Sequence, residues 1–239
     1  MSATDPTIRV VRGHGRYTDP WHPFVESSDG IASVAREHPG ASVDLVDAEP
    51  AALADLSGVD LVILNTGTGT DPKSPLREDA EWAAAHEAFG AWIDGGGKVI
   101  GTHTAAASLR DWPRWSELLG GQWVRGVSMH PPRSDAHFLP VAGQEGHPLL
   151  AGLPEGVRAF DERYSKLTLA PDSVPVLWHE LEEQYWSEGP DGTHHGARQM
   201  CVWESAAGLI YDSLGHGPEA YESPDRRRLL ANEIAHLLN

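Results

Sequence analysis

The stretch "GKVIGTHTAAASL", residues 97–109, decides how the chain is read. Val99 and Ile100 end abruptly at Gly101-Thr102-His103-Thr104, and the alanine-rich segment that follows predicts the first turns of a helix. A strand turning this sharply into a helix projects its corner side chain beyond the sheet. "GTHTA" nearly fits the G-x-nucleophile-x-G elbow, with Ala105 for the second glycine and His103 for Ser or Cys. His103 is thus a candidate base, metal ligand or nucleophile; the plainer alternative is a histidine hydrogen-bonded at a strand end, with Thr104 capping the next helix.

Three β-rich runs precede the corner: "TIRVVRG", "ASVDLVDA" and "VDLVILNTG", separated by helical composition. "VDLVIL" is almost wholly apolar, as a parallel strand covered on both faces requires. "SPLREDAEWAAAHEAFGAWIDGGG" predicts a helix with Trp82, Ala85, Phe89 and Trp92 on one face and Gly95–Gly97 ending it. The alternation predicts a doubly wound, mainly parallel, flavodoxin-like α/β sheet. In the second half "GVSMHPP", "HFLPVA", "VPVLWHE", "RQMCVWE" and "AGLIYDSLGH" predict additional strands, the last two a hairpin around Ser205–Gly208. "SPDRRRLLANEIAHLLN" predicts a docked C-terminal helix, capped by Ser223 with Pro224 in its first turn.

With 239 residues and no linker-like segment, one domain over 1–239 is expected. Apolar residues at 40% and charged residues at 22% suit a chain with a sizeable core. The net charge of −17 repels phosphate backbones and anionic lipid, which argues against nucleic acid and membranes as partners. "MSATDPTIRVV" has neither the basic flank nor the apolar stretch of a secretory signal, so a cytoplasmic location is expected. The single cysteine, Cys201 in "QMCVW", reads as a small buried strand residue.

In open α/β sheets, ligands bind beyond the carboxyl ends of the strands. The first strand end offers His14, Arg16, Tyr17 and His22, the third Asn65, Thr66 and Gly67, the fourth His103 and Thr104, and the last His216. Arg16 and Tyr17 could contact sugar hydroxyls or an anion, and Trp21 could stack on a pyranose, unless Trp21 and Phe24 simply cover the sheet edge. Adjacent Asp161 and Glu162 in "FDERY" face opposite ways if extended, so Glu162 and Tyr164 share a face. "WHELEE" lacks the second histidine of a zinc helix, "TGTGT" (66–70) lacks the P-loop lysine, His147 shapes a turn, and His194-His195 reads as solvated loop.

As an ordered set, "GHGRYTDPWHPF", "VIGTHTA", "WSELLGGQW", "MHPP", "EGHPLLAGLP", "FDERYSKL", "PVLWHE" and "LIYDSLGHGPEAY" make the chain resemble the ThuA-like (trehalose utilisation) proteins. Their fold is similar to that of class I glutamine amidotransferases. The resemblance places His103 where those enzymes carry a nucleophilic cysteine and His216 near its histidine partner. With no thiol at the elbow, glutaminase activity is excluded. It implies instead a hydrolase or lyase role on trehalose-type or keto-disaccharide sugars, which needs a base, an acid and a polarising group. His103, His216, Glu162, Asp161 and Tyr164 are the catalytic candidates, and His130 in "SMHPP" matches a family histidine. His103, His130 and His216 could together hold a divalent metal such as zinc. A non-catalytic carbohydrate-binding or regulatory module is the rival reading. The Trp-rich "LRDWPRW" could cover a contact in a homo-oligomer as easily as a core.

Overall fold

β-Branched and apolar runs form the centre of the molecule, in a computed structural model that describes residues 5–69, 76–189 and 192–239. The strands are β1 (Thr7–Arg12), β2 (Ser42–Asp47), β3 (Leu61–Asn65), β4 (Lys98–Thr102), β5 (Ser134–Pro140), β6 (Val157–Asp161), β7 (Val174–Glu180), β8 (Arg198–Glu204) and β9 (Ile210–Asp212). They form a nine-stranded sheet in the order β2-β1-β3-β4-β9-β8-β7-β5-β6. β2, β1, β3, β4 and β9 pair in parallel; from β9 onward every pairing is antiparallel. The parallel part has the 2-1-3-4-5 order of a flavodoxin-like sheet.

β3 is buried at every residue because its alternating side chains feed two cores. Leu61 and Ile63 join Ile8, Val10 and Ile100 under α1 (Phe24–Ala35) and the C-terminal α5 (Pro224–Leu238). Val62 and Leu64 join Val11, Val99, Trp82, Phe89 and Trp115 under α2 (Pro50–Ala54), α3 (Ala80–Asp94) and α4 (Arg114–Leu119). Ser223 caps α5 by accepting from the Arg226 N–H at 3.2 Å, and Asp79 caps α3. The residues Ser74-Pro75 expected to begin that helix, Thr70 of "TGTGT" and Pro190-Asp191 of the polar loop lie outside the described residues.

Two local expectations are corrected. "GVSMHPP" is not a strand: Met129 makes an isolated bridge to Ser165, while Gly126 at φ +81° and the pair Pro131-Pro132 prevent a ladder. The alanine run after His103 forms only a five-residue 3-10 helix, His103–Ala107, which Leu109 ends at φ +47°. Thr104 therefore caps no α-helix. No helix among the described residues is long and apolar enough to cross a membrane.

Candidate functional site

The corner at the end of β4 is tight. His103 takes φ +45°, a left-handed conformation that non-glycine residues adopt only when their surroundings enforce it. Two contacts from the last strand region do so: His103 Nδ1 donates to the Ser213 carbonyl at 2.7 Å, and the Tyr211 hydroxyl donates to the His103 carbonyl at 2.8 Å. The side chain is buried, with Nε2 3.4 Å from Glu162 Oε2. Burial pushes its pKa down to about 4, against the pull of Glu162.

Glu162 follows directly on β6, and it is the point where the histidines converge. Its Oε1 lies 3.2 Å from His216 Nδ1 and 3.6 Å from His130 Nδ1. Burial works to raise its pKa, but His103 and His216 outweigh that and hold the carboxyl far below the usual range. Asp161 turns the other way, as strand alternation requires. Its fully buried carboxylate accepts the N–H groups of Gly215 (2.6 Å), Glu162 (2.9 Å) and His216 (3.1 Å), and burial raises its pKa to about 6. Asp161 thus fixes the loop carrying His216 and does not reach the pocket, which corrects its listing among catalytic candidates. Gly215 adopts φ +114°, and a Cβ there would lie 2.5 Å from the Tyr221 hydroxyl, so only glycine lets this loop close.

From the β1 side, Asp19 orients His22. Asp19 Oδ1 accepts His22 Nδ1 at 2.6 Å and the backbone N–H groups of Trp21 and His22. The His22 ring centroid then lies 5.1 Å from that of His103 and 4.8 Å from that of His216. Tyr164 packs its ring 4.1 Å from His103, with its hydroxyl 3.4 Å from His22 Nε2; burial raises its pKa well above the usual value.

These groups form the floor of an open cavity of about 720 Å³. Trp21, Trp123 and Tyr164 supply aromatic faces, and His22, His130, Glu162, His216 and Thr104 supply polar groups. His103 stands behind Glu162 rather than on the cavity wall, because its ring is locked onto the Ser213 carbonyl. It is placed to act through Glu162 and not as a base that meets a bound molecule.

Other sequence candidates fall elsewhere. His14 is exposed beside Asp47 and Glu49. Arg16 and Tyr17 turn to Asp111 on the far side of their loop, so neither is a pocket contact. Thr66 is buried against the Ser108 hydroxyl at 2.8 Å, and Gly67 packs beneath Asp19, so both support the site without lining it. His130 lines the cavity but donates Nδ1 to the Pro131 carbonyl at 3.0 Å and stays partly exposed. The tight set of potential ligands is instead His22, His103, Glu162 and His216, whose donor atoms all lie within 4.8 Å of one another. The expected trio of His103, His130 and His216 shares two members with this set, and His130 lies outside it. Sequence separations of this size carry no ligand-spacing signal; only the convergence of strand ends reveals the set.

This architecture, a parallel sheet with an elbow at β4 and a late-strand histidine facing it, is class I glutamine amidotransferase-like. A glutamine amidotransferase from Thermotoga maritima superposes with a TM-score of 0.52 at 11% identity, over 88% of this chain and 75% of that one. ThuA-like proteins superpose better. That from Parabacteroides merdae gives 0.74 at 16% identity over 98% and 90% of the two chains, and that from Bacteroides uniformis 0.71 at 19% over 99% and 93%. The chain belongs to the ThuA family, described as trehalose utilisation, which matches residues 11–237. No curated protein matches it. Cys201 is fully buried in β8 with its thiol pKa pushed well up, so no thiolate reaches the elbow.

Proposed function

We propose that this protein transforms trehalose-type or keto-disaccharide sugars by acid–base chemistry centred on Glu162. The observation that carries the reading is an ionised, buried carboxylate ringed by imidazoles at the floor of an aromatic-walled cavity. Membership of a family described by trehalose utilisation supports the substrate class.

A pyranose offers apolar C–H faces and many hydroxyls. Trp21 and Trp123 suit the first, and His130, His216 and Thr104 suit the second. Removal of a proton beside a keto group, or cleavage of a glycosidic bond, needs a base, an acid and a polarised oxygen. Glu162 and His216 are the wall groups placed to move the proton, and the Tyr164 hydroxyl, held protonated, is a donor for the oxygen. His103 stands behind Glu162, with Nε2 3.4 Å from Oε2. A small neutral sugar suits the cavity better than a polyanion does, given the net charge of −17.

The test is product analysis by NMR on a panel of trehalose-type and 3-keto disaccharides. New products that disappear in Glu162→Gln support the reading. Saturable sugar binding without any product would make this a carbohydrate-binding module instead.

A further inference from the structure

Three buried polar atoms meet beneath the cavity without a hydrogen bond among them. The Ser213 carbonyl can only accept, so His103 Nδ1 carries the hydrogen and Nε2 of the neutral ring presents a lone pair. That lone pair faces Glu162 Oε2 3.4 Å away, and both atoms are buried without a hydrogen-bond partner. His216 Nδ1 is also buried and unpartnered, 3.2 Å from the other oxygen of the same carboxylate. Buried polar atoms left without partners are costly, and the two that are acceptors, His103 Nε2 and Glu162 Oε2, would be reconciled by something positive between them.

The surroundings are built as the outer shell of a metal site. Ligating imidazoles characteristically give their second nitrogen to a carboxylate or backbone carbonyl, which fixes the tautomer and aims the free nitrogen. His22 gives Nδ1 to Asp19, itself buried, and His103 gives Nδ1 to Ser213. Each therefore leaves Nε2 for the cluster, whose ligand atoms all lie within 4.8 Å of one another, and His22 Nε2 also stands 3.4 Å from the Tyr164 hydroxyl. We propose that His22, His103, His216 and Glu162 bind one divalent cation of the zinc type. Three imidazole nitrogens and one carboxylate oxygen suit zinc or its transition-metal neighbours rather than calcium or magnesium, which prefer all-oxygen sets. His22, Glu162 and His216 also line the cavity, so the ion would lie within reach of a sugar oxygen. Its use in turnover rests on the function proposed above; its binding does not.

The test uses the full chain, stripped with a chelator, dialysed, and titrated with zinc by calorimetry without sugar, with metal content read by mass spectrometry. One ion per chain is expected. Glu162→Gln and His22→Ala should each weaken binding by at least ~100-fold, and Asp19→Asn, acting through His22, by roughly 10-fold. His130→Ala and His194→Ala should keep one ion per chain. Cobalt loading adds a spectroscopic readout, with visible absorption that changes in His22→Ala. Failure of the stripped wild-type protein to take up a stoichiometric ion overturns the site. So does uptake that survives both ligand variants and disappears in His194→Ala, which would mark adventitious surface binding. One bound ion with no sugar product upholds the site and overturns the function above; full turnover by protein that takes up no ion does the reverse.

Discussion

One loop, residues 13–22, feeds two polar clusters that differ in a single respect. On one side Arg16 donates from Nε and from Nη2 to Asp111 Oδ2 (3.0 and 2.6 Å). Tyr17 donates its hydroxyl to Asp111 Oδ1 (2.7 Å) and accepts from His86 Nε2 (2.8 Å). These donors and acceptors are matched. On the other side Asp19 and His22 lead to His103, Glu162 and His216, where His103 Nε2, Glu162 Oε2 and His216 Nδ1 are buried without partners. Both clusters combine imidazole, carboxylate and a tyrosine. What separates the two clusters is the unpartnered buried atoms of the second, which folding alone would select against.

Glu162→Gln tests the unmatched cluster and should have the largest effect. The carboxamide keeps the shape but loses the charge, so product formation should fall by at least ~100-fold, the usual contribution of an acid–base group. Asp111→Asn tests the matched cluster. It should leave product formation within a few-fold of wild type while lowering unfolding free energy by about 2 kcal/mol, the scale of hydrogen bonds to a charged partner, measured by urea denaturation. If Asp111→Asn abolished turnover and Glu162→Gln did not, the distinction between the clusters would collapse.

Much of the fold was legible because the parallel part obeys local rules. β1 to β4 are short apolar or β-branched runs, β3 reads as buried on both faces, and α5 announces its cap through Ser223 and Pro224. The second half was legible where a hairpin intervenes, as at β8 and β9. It misled where alternation occurs without a ladder: Val127 and Met129 mimic a strand, yet two prolines follow. The alanine run promised an α-helix, but Ala105 and Ala106 are buried in the α3 and α4 core, and the packing there admits only a short 3-10 turn. At the site, His103, Glu162, Tyr164 and His216 could be singled out from strand ends and from the family likeness. That His22 rather than His14 is the imidazole of the first loop that reaches them could not. Nor could the diversion of Arg16 and Tyr17, because the carboxylate that claims them, Asp111, is remote in sequence.

The matched cluster also makes a pH prediction. Burial, outweighing the pull of Asp111, lowers the pKa of His86 from 6.5, and the ring stacks on Trp112 with centroids 5.3 Å apart. A lowered folded pKa means the unfolded chain binds the proton more readily. This contribution to stability is therefore complete above pH 6.5 and is lost as pH falls from 6.5 through the folded value. Replacing His86 by Gln should flatten that acid limb in urea midpoints measured between pH 7 and about 5, a window set by the ordinary imidazole range. An unchanged slope would mean that other groups, not His86, govern it.

Two tryptophans, one at each cluster, complete the comparison, and the smallest expected effect belongs to the one at the cavity rim. Trp21 rims the cavity and is 57% exposed, so it contributes little to folding; Trp112, stacked on His86, is 6% exposed and belongs to the core. If Trp21 meets a sugar face, Trp21→Ala should raise KM roughly five-fold, the equivalent of about 1 kcal/mol for one aromatic contact, with kcat and the urea midpoint unchanged. Trp112→Ala should do the opposite, lowering unfolding free energy by about 3 kcal/mol or more through the space it leaves, with KM near wild type in the protein that remains folded. A loss of stability in Trp21→Ala, with no change in KM, would show that its ring covers the sheet edge beside Phe24. The aromatic wall would then have to be assigned to Trp123 and Tyr164, which share the cavity and stand 4.6 Å apart.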